Sequence, residues 1–104
     1  PQLEIAGTRV VVAAGKPVAV VDVRNRGNAH GRLEGFVNGT DADGARFEMA
    51  PSDLPILPGE TRAVPISPIV EDGKTAPAVR FPLVVRGKLE WGKNSVPLDA
   101  RFAP

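Results

Sequence analysis

The chain has 104 residues, room for one compact two-layer core and not for two. A hydrophobic share of 42% against 24% charged residues excludes a disordered chain, and 13 Lys and Arg against 12 Asp and Glu leave a net charge of +1 with no basic block of the kind nucleic acid demands. Cysteine is absent, which excludes disulfides, thiolate metal sites and a cysteine nucleophile, and no apolar run has the length of a membrane span.

Eleven glycines and eleven prolines are spread along the whole chain, so they punctuate short elements, as in an all-β fold. Leu3–Ala6 and Thr8–Ala13 read as one edge strand that bends near Gly7. Gly15-Lys16-Pro17 turns the chain into a strand from Val18 to Arg24, in which Ala19, Val21 and Val23 alternate with Asp22 and Arg24. The corner Asn25-Arg26-Gly27-Asn28 ends that strand, because Gly and Asn tolerate positive φ and the Asn side chains bond nearby backbone. Arg32–Val37 is predicted as a third strand kinked at Gly35, and Asn38–Gly44 as a long polar turn. A short strand follows at Arg46–Met49, and Pro51–Pro58 is too rich in proline to form a central strand.

Glu60–Ser67 resumes alternation with Val64 and Ile66 inward, and Pro65, which has no N–H, predicts an edge position for part of it. Ser67–Pro77 reads as a polar loop. Val79, Phe81, Leu83 and Val85 then share one parity, which continues through Leu89 and Trp91 to a hairpin at Gly92–Ser95 and a closing strand with Val96, Leu98, Ala100 and Phe102 inward. Val79, Phe81, Leu83, Val85, Leu98 and Phe102 are the predicted core. About seven antiparallel strands with turns every ten residues or so are expected to form an immunoglobulin-like β-sandwich of two sheets, one domain over residues 1–104 excised from a longer chain.

Several constellations invite chemistry. Asp41-Ala42-Asp43-Gly44 begins like a calcium loop, but Phe47 and Met49 stand where further oxygen ligands belong, so an Asx turn is expected. His30 is the sole histidine and lacks the partners of a zinc site. His30, Asp22 and Ser52 make a nominal serine triad without a nucleophile elbow. Asn38-Gly39-Thr40 matches a glycosylation sequon and reads as a turn. Trp91, the one tryptophan, shares parity with Leu89 and is expected in the core or at its rim. Arg24, Arg26, Arg32 and Arg62 form a basic cluster if the two corners meet, with a solvated rim paired to Glu34 and Glu60 as the preferred reading. No catalytic, cofactor-binding or metal-binding residue is assigned, and no enzyme is expected.

Val23-Arg-Asn-Arg-Gly-Asn-Ala-His-Gly-Arg-Leu33 together with Pro55-Ile-Leu-Pro-Gly-Glu-Thr-Arg62 resembles the C-terminal immunoglobulin-like domain of periplasmic pilus-assembly chaperones, the PapD-like superfamily. The resemblance covers the central half of the chain. It implies a periplasmic, non-enzymatic domain that works through contacts with a pilus subunit or an adjoining domain of its own chain. The Thr8–Ala13 edge, rich in Val and carrying one charge at Arg9, predicts a monomer or at most a weak dimer through that edge. In that family the strand lent to the subunit and the basic anchor for its terminal carboxylate lie mainly in the other domain and the cleft between the two, so neither is carried over to a position here. The alternative is a structural or adhesive immunoglobulin-like module of a cell-surface or secreted protein.

Overall fold

The computed structural model describes residues 1–104 and contains seven strands: β1 (Leu3–Ala13), β2 (Lys16–Asn25), β3 (Val37–Thr40), β4 (Arg46–Pro51), β5 (Thr61–Pro68), β6 (Leu83–Trp91) and β7 (Asn94–Phe102). All pairings are antiparallel and no helix is present. The all-β expectation with seven antiparallel strands therefore holds. The strands are hydrogen-bonded as one continuous sheet in the order β1-β2-β5-β4-β3-β6-β7. That sheet curls until its two edge strands, β1 and β7, touch across a seam without pairing, so it is nearly a closed barrel.

β4 makes the curl possible by dividing its ladder. Arg46–Met49 pairs with β3, and Met49–Pro51 pairs with β5. Met49 belongs to both ladders and is 1% exposed. Its thioether lies where a Cβ on Gly39 would stand, 2.5 Å from the sulfur, so β3 can pass beneath Met49 only because Gly39 has no side chain.

The core follows from alternation. Ala19, Val21 and Val23 of β2, Val64 and Ile66 of β5, Leu83, Val85 and Leu89 of β6, and Leu98 and Phe102 of β7 are buried together. Four of the six predicted core residues, Leu83, Val85, Leu98 and Phe102, are fully buried, while Val79 and Phe81 pack against the core from its margin. The two precede β6 and lie in the Ile69–Pro82 segment, outside the strand ladder that would have fixed their parity.

β1 bends where expected, since its register against β2 shifts between Ile5 and Gly7. The β6–β7 hairpin also forms as read, with Trp91 paired to Asn94 around Gly92 and Lys93. Two expectations are corrected. Arg32–Val37 is not a strand: Gly31 and Glu34 make single bridges to Ile56 and Glu90, Gly35 takes φ +91°, and Phe36 turns outward. The strand instead begins at Val37 and takes in Asn38–Thr40, so the polar turn is confined to Asp41–Ala45. β5 stands between β2 and β4 in the sheet order, but only Ile66–Pro68 pairs with β4, so Thr61–Pro65 has no ladder partner on that side and the partial edge position expected from Pro65 is present. Proline is tolerated there because Pro65 lies just past the last β4 pair, Pro51 with Ile66, and its carbonyl accepts the Ser52 N–H at 2.9 Å.

Candidate functional site

The corner after β2 is organised by one buried amide. Asn25 is fully buried, its Nδ2 donating to the Ala29 and Ile56 carbonyls at 2.8 and 2.9 Å and its Oδ1 accepting the Gln2 and Gly27 N–H groups at 3.2 and 2.9 Å. A side-chain amide offers two hydrogens and two lone pairs, so every valence is used. Its backbone adds a bond from Asn25 N to Glu60 O and accepts one from Gly59 N. The start of β1, the end of β2, the corner and the Pro55–Glu60 turn are thus locked together. Gly27 is required by contact: a Cβ there would stand 2.7 Å from Gln2 N and 2.8 Å from the Pro1 carbonyl carbon. Gly59 is required by conformation, at φ +79°, with open space around it, and Gly73 in the polar loop has that same φ. Gly59 in its tight corner and Gly73 in its long loop are therefore equivalent in backbone conformation and in the space around them.

Asp41 caps the turn between β3 and β4. Its Oδ1 accepts from Asp43 N and Ala45 N at 3.0 and 2.9 Å, and its Oδ2 accepts from Arg80 N at 3.2 Å. Burial opposes its ionisation, but the N–H groups of Arg80, Ala45 and Asp43, with the Arg80 guanidinium, outweigh that and hold its carboxyl below the ordinary 3.8. The Asx turn expected at Asp41–Gly44 is therefore present, and Asp41 also ties the β3–β4 turn to the segment before β6.

The nominal triad is not assembled. Asp22 lies on the outer face of β2, gripped by Arg9 at 3.0 Å, and it drives the Arg9 guanidinium further above its ordinary value through this hydrogen bond and its charge. His30 is exposed in the corner, and the buried Ser52 hydroxyl has no hydrogen-bond partner. The four arginines do not act as one cluster: Arg26 pairs with Glu4, Arg32 with Asp53 and Arg62 with Glu60, the last at 3.8 Å. Glu34 instead joins Glu90 through its backbone. Trp91 packs against the core margin, as expected, with its Nε1 buried and unbonded.

An apolar cleft lies at the opposite end of the β1–β2 ladder from Asn25. It is half open, about 430 Å³ in volume, and has Ala19, Met49 and Ile66 as its floor. Pro17 and Pro68 form one wall, and Ala76–Val79 with Phe81 forms the other. Lys16 is the only charged residue on its lining and is paired with no carboxylate. Val12, opposite Pro17 on β1, is 75% exposed nearby. Sequence reading missed this cleft, because its walls come from three segments far apart in the chain. The one local signal was the run Ala76-Pro77-Ala78-Val79, apolar in a loop otherwise polar.

No family model, curated protein or solved structure matches the chain.

Proposed function

We propose that this chain is an immunoglobulin-like sandwich domain that acts through protein contacts and catalyses no reaction, and that it serves as the C-terminal domain of a periplasmic pilus-assembly chaperone or chaperone-like protein. The observation that carries the reading is the strand order with its divided β4. Cut at β4, the order becomes β1-β2-β5-β4 and β3-β6-β7, which is the division of strands between the two sheets of a seven-stranded immunoglobulin domain. The chaperone assignment rests on the Asn25 corner and the Pro55–Arg62 turn, the two motifs of the resemblance, which meet at the Asn25 amide through Ile56 O.

Co-purification tests it. The bacterial gene product that carries this domain, exported to the periplasm together with an incomplete pilus subunit, is expected to retain that subunit in soluble form, whereas the 104-residue chain alone holds it weakly. Failure of the intact product to retain the subunit overturns the chaperone reading.

A second reading, a structural or adhesive module, draws on the position of the edges. β1 starts at the Asn25 end and β7 finishes beside the cleft, where Phe102 pairs with Leu83, so copies could be strung end to end. Tandem repeats of the domain in the intact product would favour it.

A further inference from the structure

We propose that the apolar cleft beside Lys16 binds an extended peptide segment of alternating aliphatic residues flanked by an acidic side chain. This inference rests on the reading that the domain works through protein contacts, and it names the surface and the chemistry of the partner. The shape supplies the first argument. A cleft of about 430 Å³ with a floor of core side chains matches the size of sites that bury small ligands or several partner side chains.

The main chain along the wall supplies the second. Lys74–Arg80 runs without a turn or bend, and Pro77 favours extended backbone at Ala76. From Thr75 to Val79 no N–H or C=O bonds elsewhere in the chain: the donors of Thr75, Ala76, Ala78 and Val79 and the carbonyls beside them are all free. Unpaired main chain beside an apolar trough is what strand addition uses, with backbone bonds giving affinity and alternate side chains entering the trough. A hydrocarbon or lipid chain would fill the trough without bonding these donors, which stand on exposed residues and, at Val79, a half-buried one.

Charge supplies the third. Lys16 stands at the rim as the one lining cation, and it has no carboxylate to neutralise it. An acidic residue flanking the aliphatic run would do so.

The test is a titration of the 15N-labelled 104-residue protein with the acetylated hexapeptide Val-Ala-Val-Ala-Val-Asp, followed by amide spectra. Saturable shifts are expected at Thr75, Ala76, Ala78 and Val79 and around Lys16–Ala19. Lys16→Glu should weaken binding about fivefold, the scale of an exposed ion pair. Ala78→Pro, which deletes one free donor at an exposed position, should also weaken it about fivefold. Unchanged urea midpoints for both variants show that the fold is intact. Shifts confined to the Thr8–Ala13 edge, or none at millimolar peptide, overturn the site, and equal affinity for a peptide ending in Lys overturns the role of Lys16. Loss of the cleft result with pilus-subunit retention intact condemns the cleft alone; loss of both condemns the protein-contact reading.

Discussion

The two ends of the β1–β2 ladder are built on opposite principles. At the Asn25 end a buried polar group is fully satisfied and four segments converge on it. At the Lys16 end apolar side chains are left half open and a main-chain stretch bonds nothing within the chain. Satisfied polar groups fix geometry, because any displacement leaves a buried donor or acceptor without a partner. Exposed ones bonded only to solvent can exchange that water for another molecule. Within one small domain, the first end is suited to holding the fold and the second to exchanging contacts.

The largest expected effect tests whether the core beneath the cleft is as closed as the corner. Phe102 is 1% exposed, and Phe102→Ala should cost about 3–5 kcal/mol in urea unfolding. A loss under about 1 kcal/mol, the scale of a surface change, would mean that β7 does not seal the core. The corner comes next. Asn25→Leu removes four hydrogen bonds and takes the partner from the Gln2 and Gly27 N–H groups and the Ala29 carbonyl, while the Ile56 carbonyl keeps only the Gly31 N–H, so a loss of about 3 kcal/mol is expected from the same measurement. If Asn25→Leu proves neutral, the contrast between the two ends collapses.

Phe81 lies at the cleft margin, half-buried, and Phe81→Ala should cost about 1–2 kcal/mol, well short of Phe102→Ala. Equality of the two would place Phe81 in the closed core. Glycine replacements sharpen the comparison further. Gly27→Ala pushes against the backbone of Pro1 and Gln2 and should cost about 1–3 kcal/mol, whereas Gly59→Ala and Gly73→Ala meet only open space and should each cost about 1 kcal/mol for the left-handed backbone.

The smallest effect is one of pH. Because the Asp41 carboxyl is held below its ordinary value in the folded chain, its contribution is present above the unfolded pKa and is lost as pH falls through the lowered folded one. Wild type should therefore lose stability more steeply below about pH 4 than Asp41→Asn does. Parallel pH profiles for the two proteins would remove Asp41 from the account of the β3–β4 turn.

Elements set by local alternation were legible in the sequence, and those set by distant partners were not. The bend of β1 at Gly7 and the hairpin at Gly92–Lys93 needed only neighbouring residues. Arg32–Val37 reads as a strand kinked at Gly35, yet Leu33 is buried because bridges at Gly31 and Glu34 tie its segment to remote ones. Asn38–Thr40 reads as a turn until Met49 is known to lie over Gly39. Val20 sits on the outer face of β2, where alternation predicts exposure, but it is 2% exposed between Arg9 of β1 and Pro65 of β5. Asn25 was legible as a corner residue, but its burial was not, because the groups it bonds at Gln2 and Ile56 lie 23 and 31 positions away.

The seam between β1 and β7 gives the domain a mechanical character. β1 begins at Leu3, paired with Asn25, and β7 ends at Phe102, paired with Leu83, so a load applied between the two residues would run along both edge strands. Ladder hydrogen bonds lie across that direction. The β1–β2 ladder, paired from Leu3 with Asn25 to Ala13 with Lys16, would then be sheared with its bonds bearing the force together, and would not be peeled open one bond after another. Because no bond crosses the seam, β1 could slip past β7 without breaking anything between them, so resistance to stretching falls on β2 and, behind it, on the Asn25 knot.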